Sequence, residues 1–185
     1  RPSPQARRIT GATPCRLSGP AAGHALLRTQ ADPTGRRVLG TLNNCAHGFT
    51  PWGTYLTCEE NFNICFGTSA EALAKVPLTE HEKRYGLKAQ SPYRWHEVEP
   101  RFDLRVEPQE PNRFGWVVEI DPFDPRSTPI KRTALGRFKH ESATHAVGPD
   151  GRVAIYMGDD ERNDYVYKFV CRRAWQPKRP EANRH

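Results

Sequence analysis

The chain has 185 residues, a length that suits one ordinary domain rather than separate cofactor and substrate domains. A formal charge of +7 with 10% aromatic residues argues against a disordered tail, and 14 Gly with 17 Pro exclude a long helical bundle. No apolar run approaches the roughly 18 to 20 residues of a membrane helix, so the composition describes a folded, loop-rich chain with a thin core.

The sequence begins at Arg1 without an initiator Met or a signal-like segment, and a fragment or processed piece is expected. Residues 1–35 are rich in Pro and Gly and read as an extended lead-in, followed by a short strand over 38–43. Gly48, Pro51 and Gly53 then mark a turn, after which 54–60 reads as a strand. Strand alternation puts Thr54, Leu56, Cys58 and Glu60 on one face and Tyr55, Thr57 and Glu59 on the other. Thr68-x-x-Glu71 and Thr79-x-x-Glu82 fit capping boxes and predict two short peripheral helices. Residues 88–113, with Pro92, Pro100, Pro108 and Pro111, read as a long surface excursion, which makes 64–113 a peripheral insertion.

From Phe114 the pattern changes to evenly spaced strands over 115–120, 130–138, 143–147, 152–157 and 165–170. Reversals at 148–151 and 159–164 turn the last four into an antiparallel meander, so 114–170 is the strand-rich part of a single partial domain. A four-stranded meander is also the unit of a propeller blade, although no repeated motif marks one here.

Five cysteines at 15, 45, 58, 65 and 171 include no C-x-x-C pair, which argues against structural zinc, and the odd count leaves at least one sulfur outside any internal disulfide. Arg and Lys are scattered without an aromatic-interleaved stripe, which argues against a nucleic-acid partner. Neither a Walker A loop nor G-x-S-x-G is present, so P-loop and α/β-hydrolase chemistry is removed.

Three constellations have the residue types of metal or anion chemistry. Cys58-Glu59-Glu60 places a thiol beside two carboxylates, which disfavours the thiolate unless a cation compensates. Thiolate and carboxylates ligate iron, and further carboxylates suit calcium; a buried inert cysteine followed by surface acids fits the same tripeptide. Lys139-His140-Glu141 lies just past a predicted strand end and offers one carboxylate with two groups able to pair it or contact an anion. Its alternative is a surface ion pair. Gly158-Asp159-Asp160-Glu161-Arg162 gathers three acids and an arginine into one turn without the spacing of an EF-hand loop, and capping of backbone amides is its alternative.

Four separated segments, NNCAHGFTPWGTYLTCEENF (43–62), RFGWVVEIDPFDP (113–125), KRTALGRFKHE (131–141) and YMGDDERNDYVYKFV (156–170), together resemble the PhoX family of alkaline phosphatases. The resemblance implies an all-β chain of antiparallel meanders forming part of a β-propeller, with short peripheral helices and long loops. It implies an exported enzyme, periplasmic or secreted and monomeric at full length, whose ferric iron and calcium cluster hydrolyses phosphate monoesters. By motif, Cys58 is the implied thiolate ligand to iron and Glu141 a carboxylate ligand. Glu59 or Glu60 faces the metals, and Asp159 is either a calcium ligand or a turn residue. Lys139, His140 and Arg162 are the candidate phosphate contacts. His47 and Ser142 stand where the family pattern usually has Gly. A complete propeller of this family is considerably longer, and the alternative function is a non-catalytic propeller acting as a binding or scaffold module.

Overall fold

The computed structural model describes residue 3 and residues 5–179. Six strands form one sheet: β1 (Pro14–Ser18), β2 (Arg37–Leu39), β3 (Asn44–Phe49), β4 (Tyr55–Glu59), β5 (Val117–Ile120) and β6 (Ile130–Arg132), in the order β2-β1-β6-β5-β4-β3. Three more, β7 (His140–Val147), β8 (Arg152–Asp159) and β9 (Val166–Ala174), form a second sheet in chain order. Every pair is antiparallel except β1 with β6. The chain is therefore all-β with two short helices, α1 (Ala70–Lys75) and α2 (Glu80–Arg84), and several 3-10 turns. No helix among the described residues is long and apolar enough to cross a membrane.

The β3–β4 hairpin closes where Thr50 N–H donates to the Thr54 carbonyl at 2.9 Å and the two hydroxyls meet at 2.7 Å. Gly53, at φ 89°, supplies the left-handed turn residue that a side chain would resist. β4 is buried continuously from Leu56 to Glu59, because both faces of the sheet are covered there. On one side Leu56, Cys58 and Val117 meet Ala143, Val153, Ile155 and Met157 of the second sheet. On the other, Phe62, Phe66, Leu104 and Phe114 form an aromatic-rich cluster.

Glu59 enters that second region as a fully buried carboxylate. Its Oε1 lies 2.7 Å from Lys131 Nζ, itself fully buried on the neighbouring side of the sheet and 3.7 Å from the Phe114 ring centroid. Glu59 also accepts from the backbone amides of Leu42, Gly115 and Trp116, and Lys131 donates to the Arg113 carbonyl. Such a pair is tolerated in a core only when its remaining polar valences are filled, as they are here.

The sequence expectations need four adjustments. The lead-in over 1–35 contains β1, which joins β2 and runs parallel to β6. The strand expected over 130–138 stops at Arg132. There Thr133 turns into a 3-10 segment, its hydroxyl bonded to the Ser18 carbonyl and accepting from Ala21 N–H. The C-terminal meander thus has three strands, not four. The stretch over 88–113 is not only a surface excursion, since Phe102 and Leu104 are buried in the aromatic-rich cluster. Of the two capping boxes, Thr79 with Glu82 forms as expected, whereas α1 is capped by Ser69, which accepts from Ala72 N–H at 3.1 Å.

Candidate metal centre

Both hairpins that bear the acidic motifs carry a β-bulge at the equivalent place. In the first, Asn44 pairs with Glu59 and His47 with Thr57, so Cys45 and Ala46 oppose only Cys58. In the second, His140 pairs with Asp159 and Ala143 with Met157, so Glu141 and Ser142 oppose only Gly158. An unbulged ladder counted back from each turn would set Cys45 opposite Glu59 and Glu141 opposite Asp159. The extra residue moves each out of that register, and a one-residue slip sends a side chain to the other face of its strand.

The released side chains converge. Cys45 Sγ lies 3.3 Å from Glu141 Oε1, and one ligand atom each from Cys45, Glu60 and Glu141 falls within 4.8 Å of the others. Glu60 follows β4 directly, and its position is held from behind: Asn43, in the left-handed region at φ 46°, accepts Glu60 N–H at 3.1 Å. Asn43 also donates to the Asn61 carbonyl at 2.7 Å, and Asn61 in turn donates to Glu60 Oε1.

The electrostatics of this group are those of a set that could hold a cation. Hydrogen bonds to the Glu60 and Glu141 carboxylates, with their negative charge, push the exposed Cys45 thiol up to about 11. Burial raises Glu60, and the neighbouring acids Asp160 and Glu141 add to the effect. A thiol held protonated beside two carboxylates is a donor set in which a multivalent cation would favour the thiolate. Sulfur and carboxylate oxygen together could hold a transition metal, and Asp160, beside Glu60, adds one hard oxygen donor.

The residues singled out from sequence fall in different places. Glu60 and Glu141 join the group. Cys58 does not: it is fully buried with Leu56 and Val117, and burial, then the charges of Cys45, Glu141 and Glu59, push its thiol up to about 12. Glu59 is engaged by Lys131 and three backbone amides, as described. Asp159 Oδ1 accepts from the backbone amides of Lys139 at 3.3 Å and Glu161 at 3.2 Å, the arrangement of a turn residue. Lys139 extends its ammonium to Glu161, and its carbonyl accepts Asp160 N–H at 3.0 Å. His140 is fully buried, stacked on Phe138 at 3.6 Å, with Nε2–H donating to the Gly136 carbonyl at 3.1 Å. Burial pushes it down to about 4, so it is a neutral core residue and not a surface phosphate contact. Arg162 is exposed in the 159–164 turn, its backbone amide donating to Glu161 at 3.0 Å.

Comparison with known proteins gives the same family that the four motifs resemble. The family model for alkaline phosphatase PhoX matches residues 1–185. The chain belongs to the PhoX family. A solved structure of Pseudomonas fluorescens PhoX in complex with vanadate, a transition state analogue, is 58% identical, with a TM-score of 0.94 over 98% of this chain. The match spans 31% of the P. fluorescens chain. No match was found among curated proteins. The mostly antiparallel sheets and this likeness agree with part of a β-propeller, the architecture expected from the motifs.

Two residues of these motifs take a place in the structure that the sequence pattern does not mark: Cys45, in the group with Glu60 and Glu141, and Asp160, beside Glu60. Cys45 lies in the first of the four segments, thirteen positions before Cys58, and stands in the bulge between Asn44 and His47. Asp160 was one of three acids in a single turn, and the register of β7 with β8 decides which of them approaches Glu60.

Proposed function

We propose that this chain supplies a metal-binding centre for phosphate monoester hydrolysis, with Cys45, Glu60 and Glu141 as ligands to iron and Asp160 as a carboxylate for calcium. The observation that carries the reading is the convergence of one thiol and two carboxylates from β3, the end of β4 and β7, two hairpins of different sheets. Family membership supports it, as does the vanadate held by the P. fluorescens relative. When bound, the cations supply Lewis acidity towards the phosphoryl and leaving-group oxygens.

The chain's own residues have three tasks in this reading. The two bulges orient the ligands. The Glu59–Lys131 pair and the Leu56 to Val117 packing hold the hairpins rigid behind them. The Lys139 ammonium, steadied by Glu161, and the exposed Arg162 guanidinium offer donors to phosphoryl oxygens. The substrate is a small phosphate monoester, and an exported, monomeric enzyme is the setting the family resemblance implies.

The test compares two cysteines. Cys45→Ser is expected to lose iron and at least about 100-fold in turnover of a chromogenic phosphate ester, because a hydroxyl is a much poorer ligand than a thiolate. Cys58→Ser is expected to keep its iron and lose only stability. Retention of iron and turnover in Cys45→Ser would overturn the assignment.

A further inference from the structure

β3 and β7 touch backbone to backbone. An ideal Cβ built on Gly48 would lie 1.5 Å from the Ala143 carbonyl oxygen and 2.7 Å from its carbonyl carbon, far inside the 3.0 Å limit for real Cβ contacts. Gly48 is not among the glycines with positive φ, so the constraint is space and not backbone conformation. The seam continues one residue on, where the His145 ring lies 2.7 Å through Nδ1 from the Phe49 carbonyl and packs edge-on against Phe49 at 5.0 Å.

This contact sits beside both bulges. Gly48 pairs with Leu56 next to the His47–Thr57 rung where the first bulge ends, and Ala143 pairs with Met157 where the second ends. We propose that Gly48 is a positioning residue for the ligand group, because its missing side chain alone lets β3 lie on the Ala143 carbonyl and so sets the Cys45 to Glu141 separation. The proposal rests on the metal-binding reading above. Magnitude decides its force. Relieving the clash of an added methyl requires the strands to part by about 1.5 Å, whereas a metal site tolerates ligand displacements of about 0.2 Å.

The experiment uses Gly48→Ala beside Gly19→Ala, whose added Cβ would lie 2.7 Å from Thr133 Oγ1 and 2.9 Å from Ala134 N, at the β1 end of the first sheet. Both variants are expected to lower thermal stability. In iron-loaded protein, Gly48→Ala is expected to lose the visible thiolate-to-iron absorption or bind iron at least about tenfold more weakly, while Gly19→Ala keeps both. In metal-free protein, amide exchange over 44–49 and 140–147 is expected to quicken selectively in Gly48→Ala. A folded Gly48→Ala with wild-type absorption and iron affinity overturns the proposal. If Gly48→Ala does not fold, His145→Ala loosens the same seam without a clash. A shifted band with roughly threefold weaker iron supports the role, and an unchanged site overturns it. If the wild-type protein shows no thiolate band at all, the metal reading itself falls. Equal exchange in the two glycine variants would then dispose of the positioning role as well.

Discussion

The Cys45 thiol and the Glu141 carboxylate lie 3.3 Å apart although 96 positions separate them in the chain. Each stands in a bulge, and the two bulges face one another across the β3–β7 seam. An irregular residue in an otherwise paired strand leaves its side chain free to be re-aimed, which is why bulges recur beside functional sites.

Metal removal should be visible at that thiol. Among the five cysteines, Cys15, Cys58 and Cys65 are buried and Cys171 is partly covered, while Cys45 is exposed. In chelator-treated protein, peptide mass analysis is expected to find Cys45 alkylated first, with a rate that climbs through the alkaline range because the thiol sits near 11. Loading with iron and calcium should protect it. Equal labelling of Cys45 in loaded and stripped protein would remove the sulfur from the metal centre.

A second outcome concerns the pair behind the site. Lys131→Met leaves Glu59 charged and enclosed, and the expected loss in urea unfolding is about 3–5 kcal/mol. Adding Glu59→Gln to that variant removes the stranded charge while its single amide oxygen can still accept from Gly115 and Trp116, which share Glu59 Oε2; the Leu42 amide, which donates to Oε1, loses its acceptor. The double variant should therefore recover more than about 1 kcal/mol relative to Lys131→Met alone. Strictly additive losses would show that the two groups do not depend on each other.

The strands were legible wherever turn chemistry and alternation agreed, as in the 148–151 reversal, where Gly151 takes φ 75° between β7 and β8. They were misread where a side chain far along the chain intervened. Thr133 is a good strand residue, yet its hydroxyl bonds the Ser18 carbonyl and ends β6 early. The proposed ligand group was half legible for a related reason. Glu60 and Glu141 follow from the motifs, but choosing between Cys45 and Cys58 requires ladder register, and a bulge changes register without a local sequence mark. Glu59 was indistinguishable from Glu60 until Lys131, 72 positions away, was placed beside it.

His140 gives the last expected outcome, a pH dependence that separates a core role from a catalytic one. Burial lowers its folded value to about 4 against an ordinary 6.5. Between those values the unfolded chain takes up a proton that the folded chain refuses, so stability falls as pH drops from 6.5 and the loss levels off below 4. The difference corresponds to about 3 kcal/mol at most. Unfolding measured across this range in metal-free protein should show the slope for the native chain, and His140→Phe should remove its share. Phe keeps the stacking on Phe138 and eliminates Nδ1, which is buried without a partner. The same variant, loaded with metals, is expected to retain KM for a phosphate ester within about twofold, since the ring touches Phe138 and Gly136 and not the ligand group. A native-like pH slope in His140→Phe, or a tenfold rise in KM, would return the imidazole to the list of phosphate contacts.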